Sequence, residues 1–382
     1  MRRWPSFAPL SLLLISLQSC AASLRAAAAS PPAMSEECAA SSSPSAVVDV
    51  AIVGGGLSGL VLAAGLKDKC SWLLLEAHPE LLGGRIRNSH DGIDLGPAWV
   101  WRGQRNVESL IRDYKVTTFA QPDDPGSTRI AGGAYAFIKE LHNSLDPTRI
   151  RMGFPVVSCA RENDRIVLTS AKGEIVHARH VALTAPPKLL SERVKFSPEL
   201  STSKARAMAN SETWMAGVTK VALAFRERFW PFQVSNMGFP PGGPAFQVYD
   251  GSTHRDATVC LTFFTIAPPG VDDEGLAKAC AGQMAGIWRR YGLADIADRL
   301  EKEASAAKPS AIQRWPAEQH ISNDPRPTRV LPHPQPVEAL STPEWDGTLY
   351  LAGTESDRES PGVMEGAVGA ARRVLAALLK RL

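Results

Sequence analysis

Apolar residues recur along the chain with two different periods, which divide it into expected strands and helices. Residues 47–53 (VVDVAIV) form a β-branched run typical of a buried parallel strand, and residues 72–75 form a second apolar run. The intervening residues 57–66 are apolar almost throughout, which predicts a buried helix. Residues 149–187 alternate apolar and polar positions between turn signals, which predicts a β-meander.

The second half of the chain predicts a mixed region followed by a return to the first pattern. Strands are expected at residues 218–225, 246–249 and 258–264, and helices at residues 275–291 and 293–307. A strand at residues 347–351 and a long apolar-periodic helix ending at residue 379 come last. Strand and helix patterns at both ends of the chain, with a different pattern between them, predict an α/β fold with an inserted α+β region.

Composition narrows the class of protein. The chain has 382 residues, of which 44% are hydrophobic and 21% are charged, close to globular averages, so collagen-like, coiled-coil and wholly disordered proteins are excluded. The formal net charge is +3, without a block of lysine and arginine. No nucleic-acid partner is therefore expected, because nucleic-acid binding needs a clustered basic face, and a small ligand fits better.

The six cysteines are scattered. They form no C-x-x-C pair and show no metal-like spacing with histidine, so neither a disulfide framework nor a metal site is predicted. Buried free thiols are expected instead.

The first 22 residues have the features of an export signal. Arg2 and Arg3 form a charged start, residues 9–17 form an apolar run too short to span a bilayer, and small residues follow. No transmembrane span is predicted. Residues 17–20 (LQSC) resemble a lipoprotein cleavage box, so the exported protein could be secreted or lipid-anchored through Cys20.

Two alternatives to export stay open at the N-terminus. The Ala- and Ser-rich stretch up to Ser45 also suits an organelle presequence, and Met34 could be the true start, which would make the protein cytosolic. Residues 26–46 contain too few large apolar side chains to offset chain entropy, so a flexible linker is expected there.

The strand at residues 47–53 runs directly into a glycine-rich turn, residues 54–59 (GGGLSG). Gly54 permits the turn, Gly56 lets a pyrophosphate approach the backbone, and Gly59 lets helix and strand pack closely. The helix N-terminus then directs free N–H groups at the phosphates. Glu76, which ends the second strand, is placed to accept hydrogen bonds from a ribose diol, and the whole succession predicts a dinucleotide site.

Four further motifs give this site a family resemblance. Residues 83–85 (GGR), 94–99 (DLGPAW), 353–355 (GTE) and 363–367 (VMEGA) follow in order, and in this succession the chain resembles the flavin-containing amine oxidases, the monoamine and polyamine oxidase superfamily. The resemblance covers about residues 47–382. It implies a Rossmann-like FAD-binding domain with an inserted α+β substrate domain.

The resemblance also implies site residues. Arg85 would lie along the FAD pyrophosphate, Glu355 is either a cofactor ligand or an ordinary surface acid, and the start of the last helix would face the flavin pyrimidine ring. The implied FAD contacts are Gly54, Gly56, Leu57, Ser58, Gly59, Glu76, Ala77, Gly84, Arg85, Gly96, Pro97, Ala98, Trp99, Val157, Gly353, Glu355, Val363 and Met364.

Lys220 and Trp315 are the catalytic candidates that the resemblance implies. Lys220 aligns with the family lysine that holds a water against flavin N5, where a cation would favour reduction of O₂. An outward-facing strand lysine is the alternative. Trp315 aligns with a tryptophan near the flavin edge, and an ordinary core tryptophan is the alternative.

The chain also departs from the monoamine oxidases. Only about thirty residues separate Trp101 from Gly132, where the family carries a longer helical segment, so a more open cavity is expected. Residues 321–325 (ISNDP) replace the stretch that bears the flavin-linked cysteine, so the FAD should be non-covalent. Val363 replaces an aromatic-cage tyrosine, and Trp99 and Trp101 could wall the pocket instead, together with Trp315. Arg102 could meet a substrate carboxylate, although a solvated arginine is expected.

The domain boundaries follow from these assignments. A targeting segment and linker would occupy residues 1–46, the FAD-binding domain residues 47–103, 131–190 and 340–382, and the substrate-binding domain residues 104–130 and 191–339.

The leading functional hypothesis is an FAD-dependent oxidase that removes a hydride from a small-molecule amine and reduces O₂ to hydrogen peroxide. A flavin desaturase or dehydrogenase acting on C–C bonds of an apolar substrate, and a flavin-binding protein without turnover, are the alternatives. A homodimer is left open.

Overall fold

The computed structural model describes residues 46–121, 124–230, 234, 237–240, 242–306, 311–322 and 330–382. The predicted targeting segment, apart from its last residue, and residues 323–325 lie outside these ranges. The strands are β1 (Val48–Val53), β2 (Trp72–Leu75), β3 (Trp99–Trp101), β4 (Thr118–Gln121), β5 (Asp124–Ile130), β6 (Ile150–Arg151), β7 (Val156–Glu162), β8 (Arg165–Ser170), β9 (Ile175–Leu183), β10 (Lys195–Ser197), β11 (Thr219–Phe225), β12 (Met237–Gly238), β13 (Ala245–Asp250), β14 (Val259–Thr265), β15 (Ala311–Arg314) and β16 (Leu349–Leu351). The helices are α1 (Leu57–Leu66), α2 (Arg105–Asp113), α3 (Tyr135–Asn143), α4 (Pro187–Arg193), α5 (Thr202–Ala209), α6 (Asp273–Arg290), α7 (Ala294–Ala306), α8 (Glu338–Ser341) and α9 (Met364–Leu378).

The largest sheet contains the dinucleotide-type elements. Its order is β10-β7-β8-β9-β1-β2-β6, and β16 also pairs with β9. Strands β1, β2, β6 and β16 and the end of β9 run parallel, whereas β7, β8 and β9 form an antiparallel meander. The α/β class and the meander are thereby confirmed. Strand β10, beyond the predicted boundary at residue 190, also joins this sheet beside β7.

The sheet is covered on both faces, which explains why residues 50–53 of β1 are continuously apolar. One face packs against α1, α3 and α9 through residues such as Leu60, Phe137 and Val374. The other face carries a second apolar cluster, which includes Leu168 of β8 and Leu351 of β16. A strand buried on both faces has no solvent side on which a polar residue would be favoured.

The last strand is shorter than predicted. Strand β16 begins at Leu349 rather than at residue 347, because a tight turn comes first. Trp345, Asp346 and Gly347 all have positive φ angles, of 52°, 57° and 81°. Such left-handed backbone cannot continue as a strand.

A second sheet holds the inserted region. Its order is β12-β13-β14-β11-β15, all antiparallel, and α6 and α7 cover one face. Helix α6 begins two residues earlier than predicted. The Asp272 side chain caps it by accepting a hydrogen bond from the Gly275 N–H at 2.7 Å.

A third, small sheet has the order β3-β5-β4 and places Trp99 and Trp101 beside the second sheet. No helix within the described ranges is both long and apolar enough to cross a membrane.

Candidate functional site

A cavity of about 520 Å³ lies where the first sheet meets the second, a size typical of small-molecule and cofactor sites. Segments from both ends of the chain and from the inserted region form its wall. The sequence-predicted residues on this wall are Gly54, Gly56, Leu57, Ser58, Glu76, Ala77, Gly84, Arg85, Gly96, Pro97, Ala98, Trp99, Val157, Lys220, Trp315, Val363 and Met364.

The three glycines of the turn have different surroundings. Gly54 has a φ of +113°, and a Cβ there would collide with Thr184. A Cβ on Gly59 would collide with the carbonyl of Gly54, so Gly59 serves the close packing of α1 on the turn. A Cβ on Gly56, by contrast, would find its nearest protein atoms 3.9 Å away. The open side of Gly56 therefore faces the cavity, where a ligand can approach the backbone.

Glu76 is anchored at the carboxyl end of β2. One carboxylate oxygen accepts the Gly55 N–H at 2.6 Å, and the other accepts the His78 N–H at 2.7 Å. Each oxygen keeps a second lone pair, so the residue can fix the turn and still accept a hydrogen bond from a ligand hydroxyl.

Ser58 lies on the cavity wall, but its hydroxyl faces the protein. The hydroxyl donates a hydrogen bond to the carbonyl of Ala352, directly after β16. A side-chain contact from Ser58 to a cofactor is therefore not supported, and its position at the start of α1 leaves the backbone N–H as its means of binding.

Three of the predicted FAD contacts, Gly59, Gly353 and Glu355, do not line the cavity. Glu355, 2% exposed, is paired with Arg85 through contacts of 2.6 and 3.2 Å. A Cβ on Gly353 would lie 2.8 Å from the carbonyl of Thr184, so that glycine serves close packing. Direct contacts from Glu355 and Gly353 to the cofactor stay a prediction, and the structure shows that Glu355 pairs with Arg85.

The last helix also forms part of the wall. Met364 begins α9 and Val363 is its N-cap, so the positive end of that helix faces the cavity. Glu365, an ordinary first-turn acid by sequence, accepts hydrogen bonds from the N–H groups of Asn106 and Val107, both at 3.0 Å. It thereby ties the first turn of α2 to α9.

Lys220 is a buried cation at the other end of the cavity. It lies on β11, is 3% exposed, and its Nζ donates a hydrogen bond to the Gly96 carbonyl at 2.6 Å. The Tyr249 hydroxyl lies 3.3 Å from the same nitrogen, and the ring centroid of Phe264 lies 4.5 Å from it. The outward-facing alternative for Lys220 is thus excluded.

Burial shifts the protonation equilibrium of Lys220 toward the neutral amine. Removal from water lowers its pKa from the ordinary 10.5 to about 7, although the nearby Asp94 carboxylate opposes the shift. Burial also raises the pKa of the Tyr249 phenol, so that hydroxyl stays protonated and donates to the Asp94 carbonyl at 3.2 Å.

A buried ion pair behind Lys220 was not predicted. Asp94 and Arg129 are 0% and 1% exposed and contact each other at 2.9 Å. The second oxygen of Asp94 accepts the Ala134 N–H at 2.7 Å. Asp94 was visible as the first residue of the DLGPAW motif, but nothing in the sequence linked it to Arg129.

Aromatic side chains surround the Lys220 end. Trp99 stacks with Trp101 and with Phe264 at centroid distances of 6.2 and 6.1 Å. The Trp315 indole N–H donates to the Leu95 carbonyl at 3.0 Å, so this residue is both a buried tryptophan and part of the wall. Arg102 is exposed and off the wall, as expected of a solvated arginine.

The glycine turn, the anchored Glu76 and the N-termini of α1 and α9 all line one cavity, which defines the class first: this is a dinucleotide-binding fold. The family profile described as NAD(P)-binding Rossmann-like domain matches residues 52–114. The profile of the flavin containing amine oxidoreductases matches residues 119–379. The chain therefore belongs to the flavin-containing amine oxidoreductase family.

Individual relatives agree with this assignment. An amine oxidase (flavin-containing) of Oncorhynchus mykiss is 26% identical over 320 residues, covering 81% of this chain and 56% of that protein. An L-amino acid dehydrogenase of Synechocystis sp. is 38% identical over 86 residues, covering 21% of this chain and 18% of that protein. The matched part of the chain thus spans 56% of the length of the Oncorhynchus mykiss protein and 18% of the length of the Synechocystis protein.

Solved structures share the fold. Putrescine oxidase bound to putrescine superposes with a TM-score of 0.68 at 16% identity, covering 88% of this chain and 100% of that one. Cyclohexylamine oxidase from Brevibacterium oxydans gives 0.68 at 18% identity, covering 88% and 99%.

Membership in this family implies FAD as the cofactor, and the cavity fits it. Gly56 offers the open backbone approach that a pyrophosphate needs, Glu76 keeps free lone pairs at the strand end, and the positive end of α9 faces the same space.

Proposed function

We propose that this chain is an FAD-dependent oxidase of small amines, with FAD held non-covalently and O₂ as the electron acceptor. The observation that carries the proposal is Lys220, a buried amine on the cavity wall whose pKa is lowered to about 7. Relatives and structural neighbours named as amine, putrescine and cyclohexylamine oxidases support it.

Bound FAD would supply two-electron chemistry: it would accept a hydride from the α-carbon of the amine and, with one further proton from solvent, would reduce O₂ to H₂O₂. The amine is thereby converted to an imine, which water hydrolyses. The protein must hold the cofactor, orient the amine in its uncharged form and stabilise developing charge.

Residues at the nucleotide end hold the cofactor. The open side of Gly56 leaves space for the pyrophosphate. Arg85, held in position by its ion pair with Glu355, presents positive charge, and Glu76 accepts hydrogen bonds from the ribose hydroxyls. At the other end the rings of Trp99 and Phe264 exclude water and present apolar faces to the amine. An amine that enters such a site favours its uncharged form, which is the form that can lose a hydride.

Lys220 stabilises negative charge as O₂ is reduced. A fixed ammonium in a water-poor site is worth more than in bulk water, and it needs no reorganisation at the moment of reaction. Burial lowers the pKa of Lys220 to about 7, and the nearby Asp94 carboxylate favours the protonated form.

Non-covalent attachment is supported by the positions of the cysteines. Cys70, Cys159, Cys260 and Cys280 are free thiols, and none of these four lies on the cavity wall. Acid precipitation of the yellow protein should leave all flavin absorbance in the supernatant. Flavin absorbance in the washed pellet would contradict this proposal.

The Lys220→Met variant tests the function. The rate constant for reoxidation of reduced protein by O₂ should fall by about 10- to 100-fold, whereas the rate constant for anaerobic reduction by an amine should change little. Stopped-flow absorbance separates the two steps. The exposed Lys139→Met is the matched control, and an equal loss in both steps for Lys220→Met would overturn the assigned role.

The aromatic wall also favours a second candidate, oxidation of C–C bonds in an apolar substrate. A panel of amines and apolar compounds separates the candidates. Amine-dependent H₂O₂ supports the oxidase, and anaerobic bleaching by an apolar compound alone supports the desaturase. A bound flavin that no compound reduces would identify a binding protein without turnover.

Export through the N-terminal segment stays a prediction.

A further inference from the structure

Two histidines from distant parts of the chain meet at the nucleotide end of the cavity. The rings of His78 and His320 lie 6.4 Å apart between centroids, inclined by 72°, and both residues are on the cavity wall. His78 follows Glu76 by two residues, whereas His320 belongs to the inserted region. None of the sequence motifs included either one.

The hydrogen bonds of His78 fix its tautomer. Its Nδ1 accepts the N–H groups of Glu80 at 3.1 Å and Leu81 at 2.9 Å. An imidazole nitrogen that accepts cannot carry the proton, so the proton of the neutral ring is on Nε2. His78 therefore has a hydrogen-bond donor left for a ligand.

The segment that carries His320, residues 315–322, is held in place from both sides. At its start the Trp315 indole donates to the Leu95 carbonyl at 3.0 Å. Near its end Arg193, the last residue of α4, donates to the Gln319 carbonyl. Ile321 is 7% exposed, so the backbone on either side of His320 is fixed.

We propose that His320, with His78 opposite it, forms a clamp on the adenosine half of FAD. The proposal rests on FAD being the cofactor. Glu76 at the end of β2 marks the ribose position in this fold. Its carboxylate accepts the backbone N–H of His78, and both histidines lie with Glu76 on the same cavity wall. The imidazole N–H groups donate to the ribose hydroxyls and adenine nitrogens, and the two rings cover the nucleoside from solvent.

The clamp links the nucleotide to the catalytic end of the cavity. The same short segment begins at Trp315, whose acceptor Leu95 precedes the Gly96 carbonyl that holds Lys220. Occupancy by the adenosine half should therefore order the wall next to Lys220 as well.

Titration of the deflavinated full-length protein with FAD, ADP and FMN tests the clamp. In His320→Ala the dissociation constants of FAD and ADP should rise about tenfold, which corresponds to about 1.4 kcal/mol, whereas that of FMN, which lacks the adenosine half, should not change. His320→Gln, which keeps a donor, should recover part of the affinity. The matched control His90→Ala, at a fully exposed side chain, should match wild type.

Hydrogen exchange gives a second readout. Adding FAD or ADP to the wild-type protein should slow amide exchange in residues 315–322, and FMN should not. An unchanged FAD affinity in His320→Ala, or an equal loss for FAD and FMN, would overturn the clamp. If the wild-type protein bound no flavin, the proposed function would fail first, which is a different result from either of these.

Discussion

The two ends of the cavity are built in opposite ways. At the nucleotide end, backbone and one anchored carboxylate do most of the positioning, and the decisive feature is the missing side chain at Gly56. At the Lys220 end, a buried cation lies among aromatic rings and is held by a main-chain carbonyl. The affinity for FAD at the nucleotide end should depend on the open space beside Gly56, and the reactivity at the other end should depend on the charge of Lys220.

The largest effect is expected from filling the space at Gly56. In Gly56→Ala the new Cβ would meet no protein atom within 3.9 Å, so the melting temperature of the deflavinated protein should stay within about 2 °C of wild type. The methyl group would occupy the ligand's approach, and FAD affinity should fall about 100-fold, the upper range of overpacking costs.

Gly286→Ala is the control for this prediction. Gly286 lies within α6, and a Cβ there would meet nothing within 4 Å. This variant should bind FAD normally and gain up to about 1 kcal/mol of stability. A marked loss of stability in Gly56→Ala would show that the space at Gly56 serves the fold rather than the ligand.

The charge of Lys220 should appear in the pH dependence of stability. Its folded-state pKa of about 7 lies below the ordinary 10.5, so between these values the unfolded chain binds more protons than the native one. The free energy of unfolding should therefore rise with pH across this window, by about 2 kcal/mol from pH 7.5 to 9.5.

Urea unfolding of the deflavinated protein measures this pH dependence. The rise should disappear in Lys220→Met and persist in Lys139→Met. If wild type and Lys220→Met showed the same slope with pH, the lysine would have an ordinary pKa, and the electrostatic contrast between the two ends would be lost.

A smaller effect is expected from Tyr249→Phe, which removes one hydrogen-bond partner of the Lys220 ammonium and keeps the ring. Loss of that partner disfavours the charged amine, so the pKa of Lys220 should fall further. Competitive acetylation followed by mass spectrometry measures the pKa directly. A pKa that rises or stays constant would show that the tyrosine hydroxyl does not hold the ammonium.

Sequence predicted the nucleotide end far better than the Lys220 end. The strand, turn and helix around Gly54 and Gly56 depend on local backbone conformation, which a few consecutive residues determine. The bounds of α1 were predicted without error for the same reason.

The partners of Lys220 depend instead on how distant strands pair. Tyr249 lies on β13, Phe264 on β14 and Arg129 on β5, and only the register of the second and third sheets brings them together. A one-residue change in register would turn these side chains to the opposite face. Glu355 shows the same limit, because its motif was recognised but its pairing with Arg85 was not.

The buried pair of Asp94 and Arg129 constrains how this protein can diverge. Replacing either residue alone would leave an uncompensated charge in the interior, at a cost of about 3–5 kcal/mol, a large fraction of a typical protein's stability. Replacing both together by apolar residues avoids the unpaired charge, but it leaves the Ala134 N–H and the Ser252 carbonyl without these partners. Descendants of this sequence should therefore keep both charges or lose them in a coordinated exchange.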